Sequence, residues 1–113
     1  MCIFEDESII YNIEPNKSLL KLFPVRGLIV SAKSLDYDFV SRCFFPITGV
    51  DEDPVTGSAH TTLTPYWAKQ LGKDSLLAKQ VSSRGGELKC VLEGDRVIIG
   101  GEAVTYLKGF ITI

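Results

Sequence analysis

Asp53, Thr56, Gly57, Ser58 and His60 stand close together in the stretch FPITGVDEDPVTGSAH, residues 45–60. Asp51, Glu52 and Asp53 form an acidic run, and two prolines and two glycines surround it. That composition suits an ordered loop, and the helical pattern beginning near Ser58 makes the loop an entry to a helix N-terminus. A helix start leaves its first backbone N–H groups unpaired and carries the positive end of the helix dipole. Its natural guest is an anion, such as a carboxylate or a phosphate. With Ser58 as the cap, the amides of Gly57, Ser58 and Ala59 form a small anion nest, and Asp53 lies five positions before Ser58 across Pro54 and the small residues Val55, Thr56 and Gly57. Gly57 has no Cβ and lets a ligand approach closely. Asp53, at the rim, can take a hydrogen bond from a substrate amine or hydroxyl, or move a proton. The plain alternative is a solvated acidic turn in which Ser58 only caps the helix.

Other residues offer weaker signals. His60, the one histidine, reads either as an acid–base group or as a packed or surface side chain. Arg84, before Gly85 and Gly86, reads either as a partner for a substrate carboxylate or as a salt-bridged turn residue. Tyr66 and Trp67 read as core. Cys2, Cys43 and Cys90 are odd in number and form no C-x-x-C pair. Neither a disulfide framework nor a metal site is expected, and Cys43 and Cys90 read as buried reduced thiols.

The elements that must position these residues are short. Residues 1–4 read as a strand, and 9–13 as either a strand or a helical turn. A short helix opens at Pro15, with Leu19, Leu20 and Phe23 as its apolar face, and Pro24 ends it. Residues 27–32 form an apolar strand bounded by turn residues, and residues 38–45 alternate along a second. Phe39, Ser41, Cys43 and Phe45 face one way; Val40, Arg42 and Phe44 face the other. From Ser58, the apolar residues Ala59, Leu63, Tyr66, Trp67 and Leu71 recur at helical spacing, and Gly72 is a C-terminal stop. Pro65 implies a kink, or two short helices meeting there. Beyond it, strand patterns cover 76–82, 87–92, 96–99, 103–107 and 110–113, with a hairpin at Glu93, Gly94 and Asp95. The fold class is α+β: a largely antiparallel, curved β-sheet wrapped around one central helix.

A chain of 113 residues makes one domain or part of one. Net charge −2 and the lack of a basic stripe argue against nucleic acid. No apolar run reaches the roughly 18–20 residues that span a bilayer. The acidic N-terminal segment lacks the layout of a signal peptide, which makes a cytoplasmic location the expectation.

Taken together and in order, several stretches resemble the phenazine-biosynthesis PhzF-like isomerase/epimerase family, whose fold is similar to that of diaminopimelate epimerase. They are Asp38 to Arg42, Phe45-Pro46, Glu52 to His60, Tyr66-Trp67, Leu71-Gly72-Lys73, Gln80, Ser82, and Arg84-Gly85-Gly86-Glu87-Leu88. The resemblance implies two similar domains, each a sheet around a central helix, with the active site in the cleft where the two helices begin. It implies cofactor-free proton transfer on a small carboxylate-bearing substrate. It assigns substrate contact to Asp53 and Ser58, with the Gly57 and Ser58 amides gripping the carboxylate. Residues 1–113 resemble the C-terminal domain alone, without that domain's opening strands. The family's catalytic Glu and Gly-His motif belong to the first domain and are absent from this sequence.

Three expectations follow. The chain is a C-terminal half that is inactive alone, with the first domain as its missing partner. Or two copies form a homodimer that rebuilds the cleft, with Asp53 as the proton carrier. Or the chain is a non-catalytic binding or interaction module that keeps the fold and the nest.

Overall fold

A computed structural model describes residues 1–113. The chain opens with β1 (Cys2–Phe4), α1 (Glu7–Asn12) and α2 (Lys17–Leu20), followed by β2 (Leu28–Lys33) and β3 (Phe39–Phe44). A short 3-10 turn (Pro46–Thr48) then leads through the acidic loop to α3 (Gly57–Leu71). The strands β4 (Ser75–Gln80), β5 (Gly86–Glu93) and β6 (Arg96–Gly100) complete one six-stranded sheet, ordered β1 to β6. Three of its pairings are antiparallel; β1–β2 and β3–β4 are parallel. Each parallel pairing follows a helical crossover, because a tight hairpin cannot join parallel strands.

The alternation in β3 separates two cores, and all six of its residues are buried. Phe39 and Cys43 pack beneath α3 with Leu63, Trp67, Ala78 and Cys90. Val40 and Phe44 point to the opposite face and meet Ile10 of α1, with Val30 and Ala32. Trp67 anchors α3: its ring stacks on Phe39 with centroids 5.7 Å apart, and its Nε1 donates to Ser31 Oγ at 2.9 Å. Truncating a buried aromatic of this size to alanine typically costs about 3–5 kcal/mol.

Several expectations change at the level of local structure. Residues 9–12 are helical, within α1, because the Asp6 side chain accepts from the Ser8 amide and caps the turn. Asn16 caps α2, so Pro15 precedes the helix, and α2 ends at Leu20, ahead of Pro24. α3 is one continuous helix through Pro65. Pro65 and Thr61 are exposed, so water can satisfy the Thr61 carbonyl that the proline leaves without a donor. The largest correction concerns residues 103–107 and 110–113, which form no strand. Val104, Tyr106, Phe110 and Ile113 are almost wholly exposed. Their β-prone pattern finds no neighbouring strand within the chain, and a strand is defined by its partner.

Candidate functional site

The acidic loop is held from both sides of the sheet, and the three acids part company. Asp51 pairs with Lys17 at 2.9 Å on the surface. Glu52 turns toward the α1 face and takes a two-point fork from Arg42, Nε to Oε1 at 2.7 Å and Nη2 to Oε2 at 3.0 Å. Asp53 remains on the α3 side. Its amide donates to the Cys43 carbonyl at 2.9 Å, and its Oδ2 accepts from Thr56 Oγ1 at 2.6 Å.

Gln80, fully buried on β4, braces the same loop. Its Nε2 donates to the Asp53 carbonyl at 2.6 Å and to Thr56 Oγ1 at 3.1 Å. Its Oε1 accepts from the Thr56 amide at 2.8 Å. Ser82 Oγ donates to the Pro54 carbonyl at 2.7 Å. Gly86 completes the seat, since a Cβ there would lie 2.5 Å from Val55 Cγ2.

These bonds decide the state of the helix start. The N-cap of α3 is Thr56, not Ser58, and no side chain caps the helix. A threonine in that position ordinarily accepts from the first-turn amides. Here its hydroxyl donates to Asp53 instead, and the first-turn amides stay free. Ser58 sits one residue inside the helix, at the lip of a cavity of about 330 Å³. Arg26, Phe45, Thr48, Val50, Asp53, Thr56, Gly57 and Ser58 line that cavity. A Cβ on Gly57 would meet nothing within 4 Å, so the glycine leaves open space at the mouth of the nest.

Asp53, Thr56, Gly57 and Ser58 are therefore brought together. Arg84 lies next door: it lines a second cavity of about 950 Å³, to which Gly57 also contributes. His60 is elsewhere. It is fully buried, stacked on Phe39 at 5.9 Å, and does not line the Asp53 cavity. The Thr56 carbonyl, 2.8 Å from Nδ1, can only accept, which places the proton on Nδ1. Nε2 is left buried without a partner. Burial pushes the imidazole below its ordinary value, against the opposing pull of the Thr56 carbonyl. Cys43 and Cys90 are buried thiols, as their strand patterns suggested; burial raises both, Cys43 to about 11.

The depressed His60 sets a pH signature. The unfolded chain takes up a proton near pH 6.5 while the folded chain still resists it. Stability contributed by neutral His60 is therefore complete above about pH 6.5 and declines as pH falls toward the lower folded value. The expected slope is at most about 1.4 kcal/mol per pH unit. Urea denaturation between pH 5 and 7 should show it, and His60→Gln should flatten it. An unchanged slope in the variant would remove His60 as the cause.

The sequence reading gave no role to Arg26, Thr48 or Val50, and gave none to Gln80 beyond its place in a motif. Arg26 is separated from Asp53 by two strands, and an isolated cation before a strand carries no local signal. Gln80 had a usable one: an amide at an inward-facing position of a buried strand must find partners.

A sheet packed against one long helix, with an uncapped helix start beside a small cavity, defines a domain of α+β type. The chain belongs to the phenazine biosynthesis-like (PhzC-PhzF) family, whose sequence pattern matches residues 1–109. An uncharacterized isomerase of Pseudomonas aeruginosa is 52% identical over 113 residues, covering 100% of this chain and 43% of that protein. Phenazine biosynthesis-like domain-containing protein 2 of Mus musculus is 50% identical over 113 residues, 94% of this chain and 39% of that protein. The crystal structure of a PhzF family protein from Enterococcus faecalis superposes with a TM-score of 0.89 at 48% identity, over 95% of this chain and 42% of that one. The chain thus spans about two-fifths of the length of these relatives. No helix is long and apolar enough to cross a membrane.

Proposed function

We propose that this chain is the C-terminal domain of a PhzF-like isomerase and supplies one wall of its substrate cleft. In this reading it holds a small carboxylate-bearing substrate for cofactor-free proton transfer. The observation that carries it is the vacated cap: Thr56 gives its hydroxyl to Asp53, and the α3 amides are left facing the cavity. The substrate carboxylate lies against the Gly57 and Ser58 amides. Asp53, already fixed by Thr56, accepts from the substrate's amine or hydroxyl and orients the carbon that exchanges its proton. The group that moves that proton comes from a second wall, contributed by a first domain. The chain's share of its relatives' length supports this arrangement.

The test joins this chain, in cis or in trans, to the first domain of a close relative and follows deuterium uptake from D2O into candidate substrates. Uptake is expected with the assembled protein. Asp53→Asn should lower kcat/KM by about 10²-fold or more, as for a positioned acid–base or orienting group. Gly57→Val should raise KM strongly while leaving the fold intact, because open space surrounds that position. Full activity in both variants would defeat the proposal. Carboxylate binding without any exchange would leave a binding module of the same fold.

A further inference from the structure

Arg26 is the only cationic side chain lining the Asp53 cavity. It takes part in none of the four salt bridges, which use Lys17, Arg42, Lys73 and Lys79. Its guanidinium carbon lies 5.7 Å from the centroid of the Phe45 ring. A guanidinium over a ring engages it through its face, while its five N–H donors point outward in the plane. The stacking alone is worth only about 0.5–1 kcal/mol at an exposed site, and it leaves the donors available.

The ring beneath is itself fixed. A Cβ on Gly27 would overlap Phe45 and lie 2.5 Å from the Phe44 carbonyl. Arg26 therefore sits on a backbone segment pressed directly against the ring it stacks on. From the other side, Phe45 and Val50 exchange backbone hydrogen bonds at 3.1 and 3.3 Å, and Thr48 Oγ1 donates to the Phe45 carbonyl at 2.9 Å. The guanidinium thus has a preset platform, a flanking cavity and no anionic partner of its own.

We propose that Arg26 is the specificity-determining residue of this cavity: it pairs with the ligand's carboxylate alongside the α3 amides and selects charged ligands over neutral isosteres. The inference rests on the half-site reading and adds to it a residue 31 positions before Gly57 in the chain. Helix amides donate equally to a carboxylate or to a neutral carbonyl oxygen, whereas a guanidinium fork favours the carboxylate. Asp53 lines the same cavity and its negative charge disfavours an anion there, so a cation such as Arg26 is what offsets that repulsion for a bound carboxylate. Arg26 acts on binding, so its loss should fall on KM and not on kcat.

The experiment titrates the 113-residue chain with benzoate and with benzamide, following the amide signals of Gly57 and Ser58 by NMR. The unaltered chain should prefer benzoate. Arg26→Gln should weaken benzoate by about tenfold to a hundredfold, the range of a charge-assisted bond, and abolish the preference. Arg26→Lys should restore part of it, and the melting temperature of either variant should stay within a few degrees. A chain without preference for benzoate, or an Arg26→Gln variant that keeps it, overturns the proposal. Gly57→Val separates the two readings. If it blocks benzoate while Arg26→Gln does not, the nest stands and Arg26 has no role; if only Arg26→Gln matters, Arg26 binds anions and the nest reading fails.

Discussion

Gln80→Leu is expected to lower the stability of this chain by about 3–5 kcal/mol and to abolish the carboxylate binding proposed for the start of α3. Leucine preserves most of the buried volume, so packing alone predicts a small loss. The cost comes from the groups left behind. Gln80 satisfies the Thr56 amide, the Asp53 carbonyl and, more weakly, Thr56 Oγ1. Each buried polar group stripped of its partner costs about 1–3 kcal/mol. A domain of this size holds only about 5–15 kcal/mol in total, so the variant should approach marginal stability. Urea unfolding should show a midpoint about 2–3 M lower at an m-value near 1.5 kcal/mol/M. A loss below about 1 kcal/mol would mean that the loop is held by something other than Gln80. Gln80→Glu discriminates further, since it keeps the acceptor for the Thr56 amide but sets an oxygen against the Asp53 carbonyl.

The second large effect is expected from Arg42→Met. Arg42 is 9% exposed and forks to Glu52 while its Nη1 reaches the Ile10, Tyr11 and Ile13 carbonyls at 3.3, 3.5 and 2.9 Å. It also lies 5.0 Å from the Phe44 ring centroid. One side chain thus ties the end of α1, β3 and the acidic loop together. Removing one partner of such a pair costs about 3–5 kcal/mol in a buried setting. The Glu52 side chain keeps 21% exposure, which moves the expectation to the lower end, about 3 kcal/mol. Most of that cost is a carboxylate without its cation, so Arg42→Met combined with Glu52→Leu should recover part of it. Chemical denaturation of the single and double variants closes the cycle. A double variant no more stable than Arg42→Met would place the cost in the lost carbonyl contacts instead. Because Arg42 holds Glu52 on the α1 face, Glu52→Gln should change stability more than ligand affinity at Asp53.

The sequence by itself determined the elements whose signals are local. The alternation of residues 39–44 sets two faces of a strand wherever that strand is placed. The spacing of Ala59, Leu63 and Trp67 sets a helix with one buried stripe, and the left-handed Gly72, φ 67°, ends it as glycine can. The order of Asp53, Thr56, Gly57 and Ser58 placed a loop at a helix start, and the ordered motifs were enough to resemble the family to which the chain belongs.

Tertiary structure decided what each of these residues does. Asp51, Glu52 and Asp53 are chemically interchangeable in the sequence; Lys17, Arg42 and Thr56 give them separate tasks. Ser58 and Thr56 are both good caps on propensity, and only Gln80 and Asp53 explain why Thr56 holds the position yet does not cap. His60 shares the helix start with Ser58, but its direction from α3 turns it under Phe39 and away from the cavity. Arg26 reaches Phe45 and the cavity because β2 and β3 run antiparallel side by side, with Leu28 opposite Phe44. Residues 103–113 carry strand-like composition without a strand, because pairing requires a neighbour that no pattern within the segment can supply. The common physical reason is range: propensity and periodicity act over a few residues, whereas Glu52 finds Arg42 10 positions away, Thr56 finds Gln80 24 away and Asp51 finds Lys17 34 away.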